Sequence, residues 1–321
     1  MSTGTLIVSL DFELFWGMQD GISLNRYKDN VLGGRKAIPR LLSMFEKYHI
    51  HATWATVGFM FAESYEELRK YFPKKELLPS YDNIKLSPYR CFRKIGKNEQ
   101  ESPCFYAPSL IRRITSIPGQ EIGSHTFSHY YCREGGQTVK QFEADLEAAV
   151  SIAKDKGYHM TSIVMPRNQC SSEYIAVLNK FRFNAYRDEE NDWIHEKVSF
   201  RPLKRILRLA DVYFPLTGQG GYEPKIEFGV VNLVGSRMYK PILKPLKMLE
   251  KLKIYRIKRQ MLHAAKNGLT FHLWWHPHNI GIMTEEHLKQ LEEIFQYYRY
   301  LNKKYGMKSL NMREVARKQI G

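Results

Sequence analysis

Residues 121–129 read Glu121-Ile122-Gly123-Ser124-His125-Thr126-Phe127-Ser128-His129. A short strand over 121–124 runs straight into a loop carrying two histidines four positions apart. On a helical turn that spacing sets both imidazoles on one face, within reach of a single metal ion. The competing reading is a pair of loop histidines satisfied by hydrogen bonds. Three other predicted strands also end in reactive side chains. Residues 6–10 lead into Asp11-Phe12-Glu13, 162–165 into Pro166-Arg167-Asn168-Gln169, and 269–275 into His276-Pro277-His278-Asn279.

Helices are predicted between these strands. Residues 31–48 place Ile38, Leu41, Leu42 and Phe45 at helical spacing, and 138–156 do the same with Phe142, Leu146, Ala149 and Ala153, closed by Gly157. Further helices are expected at 59–71, 109–117, 171–180, 241–266 and 285–305, and further strands at 52–57 and 184–186. Alternation of this kind implies a mainly parallel sheet. It covers most of the chain, so a single barrel-like α/β domain over 1–321 is expected. Residues 73–106 contain four Pro and mixed charges and read as a long surface insertion; 188–236 read as a second, irregular one. In parallel sheets and barrels chemistry sits at the C-terminal ends of the strands, where the four clusters lie.

The chain has 321 residues, 43% hydrophobic and 13% aromatic, which excludes a disordered polymer. Its four cysteines, Cys91, Cys104, Cys132 and Cys170, form no C-x-x-C pair, so neither a disulfide scaffold nor a zinc ribbon is indicated. With no signal-peptide pattern and no apolar run of membrane-spanning length, a cytoplasmic protein is expected. The net charge of +16, from 49 Lys plus Arg against 33 Asp plus Glu, calls for an anionic partner or surface.

Two histidines and one carboxylate with an open fourth position make a catalytic metal site. Such a metal lowers the pKa of bound water and polarises a carbonyl. In an extended D-x-E segment, residues i and i+2 project to the same side, so Asp11 and Glu13 can serve one site.

Taken in order, Ser9-Leu10-Asp11-Phe12-Glu13, Gly123-Ser124-His125-Thr126-Phe127-Ser128-His129 and Leu273-Trp274-Trp275-His276-Pro277 resemble the motifs of the polysaccharide deacetylase family, carbohydrate esterase family 4. The resemblance implies a deformed (β/α) barrel that removes acetyl groups from sugars with a divalent metal, zinc first among the first-row ions such a ligand set accepts. Asp11 matches the family's base. The family's next residue, a metal-binding Asp, is Phe12 here, which makes Glu13 the nearest replacement beside the ligands His125 and His129. The family's R-x-P-x-G motif is poorly matched, with Arg167 following Pro166, and Arg167 is the candidate for steadying the base. Asp192-Trp193 fits the Asp-Trp pair behind the acid; Asp192 would then keep the acid histidine protonated. His276 matches the histidine that protonates the leaving group, with His278 as its rival. Trp16, Tyr130, Trp193, Trp275 and His278 are the candidates for sugar contact, core packing being the alternative for the first two.

Segment 237–267 holds ten Lys or Arg and one acid, Glu250. A basic amphipathic helix of this kind reads as a membrane-surface element; the alternative is a barrel helix whose apolar stripe is core. No nucleic-acid motif accompanies the charge. The sequence therefore points to a metal-dependent N-deacetylase of an acetamido-sugar or lipid-linked glycan precursor, cytoplasmic or peripheral at the inner membrane face. The alternatives are a deformylase or another amide hydrolase on the same fold, and a non-catalytic glycan- or membrane-binding protein.

Overall fold

The computed structural model describes residues 3–93, 95–189 and 192–321. Ten strands form one sheet. β1 is Thr5–Phe12, β2 Ala52–Thr56, β3 Gln120–Ser124, β4 Ser162–Val164, β5 Ala185–Arg187, β6 Lys225–Glu227, β7 Val230–Asn232, β8 Arg237–Met238, β9 Thr270–Trp275 and β10 Lys308–Ser309. Their order is β6-β7-β5-β4-β3-β2-β1-β9-β8, with β10 on the start of β1. Every pairing is parallel except the β6–β7 hairpin. The α/β architecture is therefore as expected.

Among the described residues no strand pair closes the sheet, yet it curls into a barrel shape. Ile7, Ala55, Val164, Ala185, Val231 and Leu233 come from widely spaced strands and pack in one interior cluster. The seam is bridged by the stretch that joins β7 to β8. Its Gly235 N–H donates to Asp188 O on the β5 side at 2.9 Å, and its Ser236 Oγ accepts the His272 N–H of β9 at 3.0 Å. The C-terminal helix α10, Met312–Ile320, plugs the bottom of the interior with Met312, Val315 and Ala316.

Alternation along the strands sorts the side chains. On β1, Leu6, Val8, Leu10 and Phe12 face outward into the main core, whereas Ile7, Ser9 and Asp11 face inward. In register with them on β9 are His272 beside Ile7 and Trp274 beside Ser9. The outer core is completed by α1, Leu24–Tyr48, and α9, Thr284–Tyr305. Two other helices matter to the site: α4, Val139–Asp155, opened by a capping box between Thr138 and Gln141, and α8, Glu250–Asn267, ended by Gly268 at φ +67°.

Several sequence expectations are corrected. The helix expected over 59–71 breaks into a 3-10 turn, Gly58–Phe61, and a short helix α2, Tyr65–Arg69, because Ser64 caps the second piece. Segment 73–106 is not a loose surface insertion. Tyr81, Leu86, Phe105 and Tyr106 are buried, and Tyr81 Oη accepts the Tyr131 N–H beside the histidine loop. Its aromatic content outweighs its prolines. Residues 188–236 are not irregular either. They hold a short helix, α6, Trp193–Lys197, the thirteen-residue helix α7, Arg201–Tyr213, and the β6–β7 hairpin turning at Phe228-Gly229. Leu203, Ile206 and Leu209 of α7 recur at helical spacing, and all three are exposed. Finally, the apolar stripe of α8 is core. Ile254, Ile257, Met261 and Ala264 join the main cluster, while Lys253 pairs with Glu250 and Arg256 with Asp211.

Candidate active site

The site lies where β1, β3, β5 and β9 end. Glu13 Oε2 is 2.9 Å from His129 Nε2 and 3.2 Å from His125 Nε2. All three residues are buried, and their donor atoms lie within 4.8 Å of one another. His125 Nδ1 sits 2.7 Å from the Val164 carbonyl, which places the proton on Nδ1 and leaves the Nε2 lone pair free. Metal-binding imidazoles are commonly oriented in this way. Burial lowers the pKa of His129, keeping it neutral. Burial raises that of Glu13, but His276 and His129 override it, so Glu13 is held well below the usual carboxylate range. Two imidazoles and a carboxylate converging on one point form a donor set suited to a divalent first-row metal.

The local backbone is built for this convergence. Thr126 and His129 adopt left-handed conformations at φ 63° and 58°, which non-glycine residues avoid unless the surroundings hold them. Asp145 of α4 supplies the hold. Its buried carboxylate accepts Phe127 N–H at 2.7 Å and Ser128 N–H at 3.1 Å, together with the Ser128 hydroxyl. Burial pushes its pKa up to about 7 against these hydrogen bonds. On the other side, a Cβ at Gly17 would lie 2.1 Å from Glu13 Oε1, so only glycine leaves that carboxylate its place.

Asp11 stands two residues along from Glu13. Arg187, at the end of β5, donates to both of its oxygens at 2.7 Å. The remaining donors of Arg187 go to Ser9 Oγ at 2.9 Å and to Asn168 Oδ1 at 3.2 Å and 2.9 Å. Its guanidinium carbon also lies 4.1 Å from the Trp274 ring. Burial would raise the Asp11 pKa, but the fork of Arg187 and the charge of His276 lower it. Asp11 is therefore an ionised carboxylate locked in one orientation.

His276 is the accessible member, its side chain 20% exposed. Its Nε2 is 3.6 Å from both Asp11 Oδ2 and Glu13 Oε1, too far for direct hydrogen bonds. His278 is buried behind it, the two rings stacked at 5.0 Å, and burial pushes its pKa down to about 4. Geometry thus favours His276 over His278 for proton transfer to a ligand. His272 lies deeper, with Nε2 2.8 Å from Ser9 Oγ and a pKa pushed down to about 3 by burial, and belongs to the barrel interior.

The structure thus brings together Asp11, Glu13, His125, His129, His276 and His278 of the sequence candidates, and excludes six others. Arg167 points away from Asp11: it is paired with Asp20 and Glu134 and lies over Tyr131. The steadying arginine is Arg187 instead. Asp192 caps α6 and pairs with Arg208, so it does not back His276. Trp193, beside it, donates to Leu216 O. Trp16 is fully buried against Phe59 and Phe105. Tyr130 is fully buried and donates toward Gln137 and Thr138. Trp275 lies on the outward face of β9 against Phe45 and Tyr239; the site-facing aromatic is its neighbour Trp274, edge-on to His276 at 5.9 Å. Sequence reasoning also passed over Arg187, Asn168, Asp145 and Gly17. Arg187 directly follows a predicted strand, and Asp145 is a carboxylate on the apolar face of 138–156; both signals were readable.

A family model described as polysaccharide deacetylase matches residues 27–186. The match takes in His125 and His129, but ends before Arg187 and leaves out Asp11, Glu13 and His276. No curated protein matches the chain. Among solved structures, the chain is similar to a protein from Mycobacterium smegmatis described as a candidate polysaccharide deacetylase (13% identity, 98% of this chain and 90% of that one covered, TM-score 0.60). A second such candidate, from Pseudomonas aeruginosa PAO1, matches at 12% identity, 98% and 89% coverage and TM-score 0.52. An allantoinase matches at 12% identity, 98% and 88% coverage and TM-score 0.51. At such identities these likenesses speak for the fold. The family match thus makes about half of the chain similar to polysaccharide deacetylases, and the solved structures extend a likeness of fold across the rest.

Proposed function

We propose that the protein is a metal-dependent hydrolase that removes the N-acetyl group of an acetamido-sugar. The observation that carries this reading is the convergence of Glu13, His125 and His129 beside the Asp11–Arg187 fork and the accessible His276. A divalent ion, zinc by our reading, held by those three residues would polarise the acetyl carbonyl and acidify water at the site.

The chain's own groups supply the rest. Arg187 holds the Asp11 carboxylate in place, and Asp11 takes a proton from water as its oxygen bonds to the acetyl carbon. His276 faces the opening and delivers a proton to the sugar nitrogen as the C–N bond breaks, leaving acetate and a free amine. Trp274 offers its ring to one side of the bound sugar. Glu13 and Asp11 are buried away from bulk water, which strengthens each electrostatic contact.

The test is release of acetate from N-acetylated hexosamine oligosaccharides, run beside N-formylated sugars and small cyclic amides. Acetate release with little turnover of the others supports the proposal. Preference for formyl or cyclic-amide substrates would transfer the same site to a different amide hydrolase.

A further inference from the structure

α7 is an amphipathic helix with its apolar side turned to solvent. Phe200, Leu203, Ile206 and Leu209 are 66%, 45%, 64% and 42% exposed. The helix carries Arg201, Lys204, Arg205 and Arg208 and a single acid, Asp211. Asp211 is buried and bound by Arg237 and Arg256, so it does not offset the surface charge. Arg201 and Arg205 form no ion pair among the described residues.

The apolar surface continues beyond α7. A groove lined by Leu209, Val212, Tyr213, Pro241 and Leu243 is rimmed by Arg205 and Lys240. Across Tyr213 lies a second groove, lined by Phe214, Leu252, Tyr255 and Arg259; Tyr255 is 61% exposed. Monomeric soluble proteins rarely leave so many large apolar side chains uncovered in one place. Arginine and lysine interleaved with exposed Phe, Leu and Ile is the pattern of a helix lying in a membrane interface, with its apolar side chains among acyl chains and its cations among headgroup phosphates.

We propose that this face, α7 with the adjoining start of α8, seats the protein on an anionic bilayer surface. The occupant is fixed by charge complementarity: a neutral apolar partner would leave Arg201 and Arg205 unmatched. This surface is distinct from the inner stripe of α8, which is core. A pocket bordered by Trp274, Gly235, Lys240 and Arg208 adjoins this surface, sharing Arg208 and Lys240 with its groove. The docking is independent of the reaction assigned to the site, because binding is read without substrate.

The experiment is co-sedimentation of the full chain with vesicles of phosphatidylcholine alone or with roughly one third phosphatidylglycerol. Binding is expected on the anionic vesicles and not on the neutral ones, weakening as salt rises. Ile206→Asp and, separately, Arg205→Glu should each lower apparent vesicle affinity by about tenfold or more. Both positions are exposed, so the melting temperature should stay unchanged. Absence of binding to anionic vesicles would overturn the proposal, as would binding indifferent to both substitutions. A concentration-dependent dimer abolished by Ile206→Asp, without vesicle binding, would show instead that a second copy covers this face.

Discussion

Arg187 grips Asp11 through two parallel hydrogen bonds of 2.7 Å, deep inside the barrel, where it also donates to Ser9 and Asn168. Arg187 is the group that fixes where the Asp11 carboxylate points. Replacing it by Lys keeps a charge but loses the fork. We expect kcat/KM for deacetylation to fall by about 100-fold or more, with metal binding retained. Arg187→Met leaves Asp11 buried without its partner, and a stability loss of about 3–5 kcal/mol is expected in denaturant unfolding. Arg167→Ala, which removes only a half-exposed arginine paired with Asp20 and Glu134, should leave kcat/KM within severalfold of the parent. Equal losses for the two arginines would contradict the assignment.

Gly17 sets the position of Glu13 by having no side chain. Gly17→Ala places a methyl group where the Glu13 carboxylate now sits. The carboxylate must turn aside, and metal affinity measured by calorimetry should fall by about tenfold or more. An unchanged affinity would show that Glu13 has other room.

Asp145 anchors the strained histidine loop from outside the site. Asp145→Ala strands two buried backbone N–H groups. An unfolding penalty of about 2–4 kcal/mol is expected, together with weaker metal binding as His129 loses its support. Asp145→Asn keeps one acceptor and should fall between the two. A melting curve matching the parent would dismiss the anchoring role.

The plug at the barrel bottom carries a pH dependence. His51 Nδ1 lies 2.8 Å from Glu314 Oε2 on α10. That hydrogen bond raises the His51 pKa; burial alone would raise Glu314, but the bond to His51 lowers it. Stability from the pair is therefore lost as pH rises through the folded value of His51, and again as pH falls through that of Glu314. Both groups are about one-third exposed, so the contribution is below about 1 kcal/mol. His51→Gln should lower the melting temperature near about pH 6 and match the parent above about pH 8. A constant difference across that range would assign the contact no ionic component.

Much of the site was legible because catalytic groups at strand ends leave a local signature. Asp11, Glu13, His125, His129 and His276 each close a strand that hydropathy alone locates. Arg167 and Arg187 show where local reading fails. Arg167 lies in a motif-like position, but its left-handed backbone, φ 57°, turns it outward to Asp20. Arg187 reaches Asp11 only because β5 follows β4 round the curl, a relation between residues 176 positions apart. The aromatic candidates failed for another reason. Trp274 and Trp275 are neighbours of identical composition, and strand parity alone decides which faces the site. α7 was readable from the helical spacing of Leu203, Ile206 and Leu209; what the sequence does not carry is that this apolar face lies exposed.

A metal held at Glu13, His125 and His129, with Asp11 as base, is proposed to hydrolyse a sugar acetamide. The decisive measurement is acetate release from an N-acetylated hexosamine oligosaccharide after complete chelation and graded return of zinc. The parent and Asp11→Asn should be measured side by side. The parent's activity is expected to disappear on chelation and to return with about one zinc per chain. Asp11→Asn should bind zinc but remain at least about 1,000-fold slower. Full activity in the metal-free protein, or comparable activity in Asp11→Asn, would contradict it.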